Sequence, residues 1–310
     1  MRPILIWIIT IVALVIAPTM VSAYTTSLLM AILMYAALAQ SWTIFSGSTG
    51  YISLATSAFF GLGAYVTALL DGRFPLPVAM VIAALINFVL FFAVASAVLR
   101  LKGPYFAILT FGLSELMAHS SLWLELKMFG TRGRMLKPVE PEVVYYSLLV
   151  IALVVFLTAY LVKRSNFGLA LRSIGQDEER AETLGINTTL IKLIGFSLSA
   201  ALMGAVGAAV TPRWTYLDPY IAFNALITFQ TIIMSRVGGM GSLYGPLLGA
   251  AVLASLSELF LTRFPYHYMI MLGTVLIIIV LFLPDGLSGL IGRVLRKDNA
   301  GRGMQEAEHA

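Results

Sequence analysis

The chain has 310 residues, of which 59% are hydrophobic and only 11% charged, and its mean hydropathy is +0.92. A water-soluble domain carries about 25% charged residues, so this composition excludes a soluble fold. The net charge of +5 comes without a basic stripe, which argues against a nucleic-acid partner, and the lack of cysteine excludes disulfides and thiolate metal sites.

A helix needs about 20 mostly apolar residues to cross a bilayer core about 30 Å thick, and its backbone must be satisfied internally there. The apolar runs are too long and continuous for alternating barrel strands. The expected fold is an all-α polytopic membrane protein with about ten spans. They fall near 4–23, 27–45, 57–70, 76–99, 104–122, 143–162, 190–211, 222–236, 245–262 and 267–284.

The first run, from Arg2 to Val21-Ser22-Ala23, has the form of a cleavable signal peptide, but in a multi-pass chain a first span is preferred. An even number of spans puts both termini on one side. Taking that side as cytoplasm places most of the 20 Lys and Arg residues inside, among them Arg100, Lys102, Lys163, Arg164, Arg172, Arg180 and Lys192. The exception is the outer loop 123–142, which holds Lys127, Arg132, Arg134 and Lys137.

After the second run, Ser46-Gly-Ser-Thr-Gly50-Tyr-Ile-Ser53 is too polar to face lipid and reads as a broken or re-entrant piece buried in protein. A second glycine-rich stretch, Val237 to Ala250, lies in the other half of the chain. Paired interruptions of this kind accompany substrate pathways in internally repeated transporters. Gly50, Ser53, Thr56, Ser57, Gly238, Gly239, Gly241 and Ser242 are therefore candidate pathway positions, and an internal pseudo-repeat is expected. Tight helix packing would use the same glycines. Gly241, Gly245 and Gly249 fall four apart, as on one helical ridge, with Pro246 in the first turn.

Glu115 and His119 share a helix face in the fifth run. A carboxylate at that depth must be paired or protonated, which points them to the bundle interior as buried polar residues. They would serve packing, or a proton relay if the chain were a stand-alone proton-coupled carrier using Glu115.

Between the sixth and seventh runs lies the longest charged stretch, 163–187. It reads as two short helices, the first capped by Ser165 or Asn166 and broken at Gly175. Asp177 caps the second, Glu178 and Glu179 sit in its first turn, and Gly185 stops it in the left-handed conformation. Ala181 and Leu184 are expected on one face. Such a helix docks into a partner's groove, or is a solvated connector. No phosphate-binding loop, zinc-protease helix or nucleophile elbow occurs, so the chain is not expected to be an enzyme.

Five motifs occur in order: Ser46-Gly to Gly63-Ala-Tyr65, Arg100-Leu-Lys-Gly-Pro-Tyr105 to Thr110, Gly168-Leu-Ala-Leu-Arg172 to Leu184-Gly-Ile-Asn187, Val237-Gly-Gly-Met-Gly-Ser242, and Phe282-Leu-Pro-Asp-Gly-Leu287. On these residues, from about 27 to 290, the chain resembles the LivM-type permeases of branched-chain amino acid ABC importers. The resemblance implies a LivH-type second permease, two cytoplasmic ATPases that bind ATP and Mg²⁺, and an extracytoplasmic solute-binding protein. No cofactor is implied on this chain. It implies that 164–187 is the cytoplasmic coupling segment contacting an ATPase, with Arg172, Asp177, Glu178, Ala181, Leu184 and Gly185 as coupling residues. Residues 1–290 would form one permease domain in the bacterial inner membrane, moving solute inward by alternating access, and 291–310 a disordered cytoplasmic tail. Ala55-Thr56 and Phe129-Gly-Thr-Arg-Gly-Arg134 depart from the family's usual Gly-His or Gly-Gln and Thr-Gly-Gly, which leaves the solute open.

Overall fold

A computed structural model describes residues 12–137, 139–267, 270–271 and 273–274. Helix α1 is described over 12–20, and α2 runs Ala23–Trp42 and continues as a π-helical turn over Thr43–Gly47. The chain then unwinds at Gly50 (φ 74°) before α3, Thr56–Leu70. There follow α4 (Leu76–Val98), α5 (Pro104–Phe129), α6 (Pro141–Arg164), α7 (Asn166–Gln176), α8 (Glu178–Thr183) and α9 (Thr188–Val210). A short α10 (Pro219–Ala222), α11 (Ala225–Gly238) and α12 (Gly245–Arg263) complete the described bundle. Helices α4, α5, α6, α10 and α12 all carry proline in the first turn, where its missing N–H leaves no bond unmade.

The centre of the bundle is α9, packed against α2, α3, α4 and α6. Its small residues allow backbones to touch. A Cβ built on Gly63 would lie 1.9 Å from the Gly204 carbonyl oxygen, and one on Gly207 would lie 2.0 Å from that of Phe60. Without water to drive association in a bilayer, close approach of this sort is what holds helices together. Around it, Phe59 meets Phe91 and Phe196 edge-on at 4.4 and 5.3 Å, and Phe45 meets Phe196 at 5.3 Å.

Eight of the expected runs are helices at their expected places, so the all-α reading stands, with one addition. Arg134–Met135 and Tyr216–Leu217 form a two-residue antiparallel ladder. Among the described residues six helical segments are long and apolar enough to cross a membrane, fewer than the ten runs expected over the whole chain. Two expected runs are helices outside that set: α3 is apolar but has only 15 residues, and α5 has 26 residues that include Glu115, Glu125 and Lys127. Residues 4–11 of the first expected span, most of the tenth, the Phe282–Leu287 motif and the 291–310 tail lie outside the described residues. The stretch between helices here is also shorter than the loop expected over 123–142. Helix α5 continues to Phe129 and stops at Gly130 (φ 68°), leaving 130–140 between α5 and α6.

Candidate functional site

The break between α2 and α3 exposes backbone groups that no helix satisfies. Side chains of α2, α5 and α11 supply the bonds. Leu54 N–H donates to Thr110 Oγ1 (2.9 Å) and Ser57 N–H to Thr228 Oγ1 (2.9 Å), while the Leu54 carbonyl accepts from Ser114 Oγ (3.3 Å) and the Ser53 carbonyl from Trp42 Nε1 (2.9 Å). Irregular backbone at membrane depth is tolerated only when protein buries and bonds it in this way. Ser53, Thr56 and Ser57 are buried in this core, whereas Gly50 is exposed.

The polar island folds against this break. Ser165 Oγ accepts from Gly168 N–H (3.2 Å) to cap α7, whose Leu171 and Ile174 are buried. A Cβ on Gly175 would lie 2.2 Å from the Ser48 carbonyl oxygen, so the end of α7 rests on the backbone just past the π-turn. Asp177 caps α8, accepting from Arg180 N–H (3.1 Å). Gly185 (φ 83°) closes it: Gly185 N–H bonds to the Glu182 carbonyl and Ile186 N–H to that of Ala181, the two bonds of a Schellman stop.

Two expectations for this segment need correction. Ala181 and Leu184 do not share a face: Ala181 is 1% exposed and Leu184 78%. Helix α8 ends at Thr183, so Leu184 belongs to the stop and turns outward while Ala181 packs beneath. Glu178 does not project toward a partner either. It pairs with Lys192 (2.5 Å) and Lys102 (3.5 Å) and accepts from Tyr51 Oη (2.7 Å). Lys192, one turn into α9, is 4% exposed and would otherwise be a stranded charge. Burial pushes the Glu178 carboxyl upward, but hydrogen bonds from Lys192 and Tyr51 and the charges of Lys192 and Lys102 outweigh it, leaving the group below its ordinary range. The same burial, with the neighbouring carboxylate, holds the Tyr51 hydroxyl protonated far above its ordinary value. Glu178 thus fastens α8 to the unwound segment and to α9. Arg172, Glu179, Arg180, Leu184 and Gly185 are exposed and Asp177 is half-buried.

Tyr51, Lys192, Lys102 and Gly175 are site residues that reasoning from sequence missed. The signal available was Lys192 itself, a lysine inside an apolar run, which demands an acidic partner.

The two glycine-rich stretches meet at this same end of the bundle, where a Cβ on Gly47 would touch Met240 Cβ at 3.5 Å. Gly238 and Gly239 (φ 95°) are buried against Gly245, whereas Gly241 is exposed and Ser242 Oγ accepts from Gly245 N–H (2.7 Å). The expected glycine ridge begins only at Gly245, because Gly241 lies in the turn before α12.

Glu115 and His119 are not interior residues. Both are exposed on α5, whose buried face is Phe106, Thr110, Leu113, Ser114 and Ala118, and His119 lies edge-on to Tyr220 at 6.1 Å. The buried carboxylate of α5 is Glu125, which accepts from Gly133 N–H (2.9 Å) and lies 3.7 Å from Arg134 Nε. At this far end Arg132 Nε also meets Asp218 at 2.7 Å, so two of the four cations expected in the 123–142 loop have acidic partners within the chain.

The chain is 28% identical to the high-affinity branched-chain amino acid transport system permease protein LivM of Escherichia coli over 93% of its own length and 76% of that protein. It is 28% identical to LivH of Salmonella typhimurium over 41% of each chain, and 30% identical to the guanosine ABC transporter permease NupQ of Bacillus subtilis over 49% of this chain and 47% of that one. No solved structure matches. Residues 24–281 match the family described as branched-chain amino acid transport system, permease component, and the chain belongs to that family.

Proposed function

We propose that the chain is one of two membrane-spanning subunits of an ATP-driven importer, paired with a LivH-type permease, which moves branched-chain amino acids or a related small carboxylic solute inward by alternating access. In this reading ATP and Mg²⁺ are held by two cytoplasmic ATPases, and an extracytoplasmic binding protein delivers the solute. Helices α3 and α5 cross together with the six apolar spans, and segments near 4–23 and 267–284 bring the number to ten. Both termini and the α7–α8 end then face the cytoplasm, with loop 130–140 outside. The pseudo-repeat and the undivided permease domain over 1–290, followed by a cytoplasmic tail over 291–310, belong to the same reading.

The observation that carries this reading is the fastening of α7 and α8 to the α2–α3 break through Gly175 on Ser48 and Glu178 on Tyr51 and Lys192. A segment with exposed charges on one side and rigid contact to an unwound helix on the other can turn a push from a partner into movement at Gly50 and the 239–242 loop. Arg172, Asp177, Leu184 and Gly185 form the receiving surface, and Ala181 and Glu178 the transmitting one. A stand-alone proton-coupled carrier would need Glu115 in the interior, and Glu115 faces out of the bundle.

The test is leucine uptake by the assembled transporter carrying Asp177→Lys, which places a like charge beside Arg180 and removes the α8 cap. Uptake is expected to vanish while membrane insertion is retained, and Glu115→Gln is expected to leave uptake unchanged. Normal transport by the Asp177 variant would refute the coupling role.

A further inference from the structure

Where the two glycine-rich stretches meet, a cavity of about 330 Å³ opens at the α7–α8 end. Gln40 of α2 lines it. That residue is 3% exposed, and its side-chain Oε1 has no hydrogen-bond partner. Two cations also border the cavity. Lys163 Nζ donates to the Gly241 carbonyl (2.8 Å), and Arg172 reaches the carbonyls of Gly168 (3.2 Å) and Lys163 (3.1 Å). Among the described residues neither forms an ion pair with a carboxylate. The rest of the lining includes the aliphatic side chains Ile44, Val162 and Leu243, with Met240 beside them.

The buried amide oxygen is the costlier feature, since Lys163 and Arg172 are both exposed to solvent. Two like charges repel across one opening, and a buried amide oxygen without a donor has lost its water. One class of ligand relieves both: a carboxylate between the cations, an ammonium on the amide oxygen and an aliphatic side chain on the wall. A volume near 300 Å³ suits a small molecule of that kind. We propose that this cavity is a product-side binding site for a small aliphatic α-amino acid, held by Arg172 and Lys163 through its carboxylate and by Gln40 through its ammonium. The choice of solute rests on the importer reading above. An occupant bridges α6 and α7, so it ties the coupling segment to the bundle after the solute has crossed.

The test is equilibrium binding of radiolabelled L-leucine to the complete permease assembly in nanodiscs, without binding protein or nucleotide. Saturable binding is expected, weakened about tenfold or more by Lys163→Met, as for loss of one charge-assisted contact. Wild type should prefer leucine to 4-methylpentanoate, which lacks the ammonium, and Gln40→Leu should abolish that preference. Met240→Trp, which fills the cavity from its loop, should remove binding in protein whose melting temperature is unchanged. Undiminished binding by the Lys163 and Met240 variants would overturn the proposal. So would inorganic phosphate displacing leucine as well as isoleucine does, since the site would then be a general anion site. Leucine uptake with binding protein and ATP is measured in parallel. Uptake without this binding sinks the site and leaves the importer reading intact, whereas binding without uptake does the reverse.

Discussion

Removing the Glu178 carboxylate should open the contact between α8 and the unwound segment, and restoring charge balance should close much of it again. The Glu178 side chain is 15% exposed and that of Lys192 5%, so Glu178→Ala leaves a lysine buried without a counter-charge. Breaking a buried pair in this manner costs about 3–5 kcal/mol, most of it the penalty for the stranded partner. Lys102 adds little to this figure, because its side chain is 66% exposed and such pairs are worth about 0–1 kcal/mol. The double variant Glu178→Ala, Lys192→Met strands no charge and should cost roughly 1–2 kcal/mol, the level of a lost hydrogen bond such as that from Tyr51.

The readout is amide hydrogen exchange at 48–55 and in α8, since these segments open locally when the contact fails. A loss of about 3 kcal/mol is a factor of about 100 in the open population, so exchange there should accelerate by about that factor in Glu178→Ala. The double variant should recover at least tenfold of this. If exchange in the double variant is as fast as in the single, the two effects are not coupled, and the pairing of Glu178 with Lys192 is not what fastens α8.

The same carboxylate sets a pH dependence. Its folded pKa lies below the ordinary value of 4.5, so the stability it contributes is present above that value and is lost as the pH falls through the lower folded pKa. Exchange at 48–55 should be flat, after correction for intrinsic rates, from neutral pH to the ordinary carboxylate range and rise only below it. In the core, Gly63→Ala and Gly207→Val each drive a Cβ into a backbone carbonyl that cannot swing aside. Overpacking costs about 1–3 kcal/mol even where side chains can adjust, so both variants should lose folded protein on size-exclusion chromatography. At the far end, Asp218 caps α10 and pairs with Arg132, and Asp218→Ala should cost about 1–2 kcal/mol. Limited proteolysis should then cut within 130–140 while leaving α9 intact.

The helices were legible in sequence because apolar length is a local property: a run of some 20 residues announces itself wherever it folds. The caps at Ser165 and Asp177 and the stop at Gly185 were legible for the same reason, since each works within about a turn of its own position. Facing direction was not. Helix α5 has apolar residues on every side, so nothing in its own sequence says that Thr110 and Ser114 look inward to bond the unwound segment while Glu115 looks out. The polar residues that matter most to the break, Thr110, Ser114 and Thr228, are distant in sequence and chemically ordinary. Their role exists only because the break leaves the backbone at Leu54 and in the first turn of α3 without helical partners, which must be found in three dimensions.

Two kinds of contact divide the labour in this bundle, and they differ in how they can be undone. Helices α3 and α9 meet through backbone atoms with no side chain between them, an arrangement that has one geometry and resists sliding. Helix α8 is fastened by a charge cluster at the edge of the bundle, with Lys102 largely in solvent. The exposed Lys102 bond can be exchanged for water at modest cost, whereas the buried Glu178–Lys192 pair holds, so α8 and the segment it fastens travel as a unit. A force on α7 and α8 would therefore move the unwound segment before it disturbed the α3–α9 contact. The glycine at position 175, pressed on the Ser48 carbonyl, makes that movement immediate rather than elastic. A larger residue there should separate α7 from the break, so Gly175→Leu should raise exchange at 48–55 without altering it in α9.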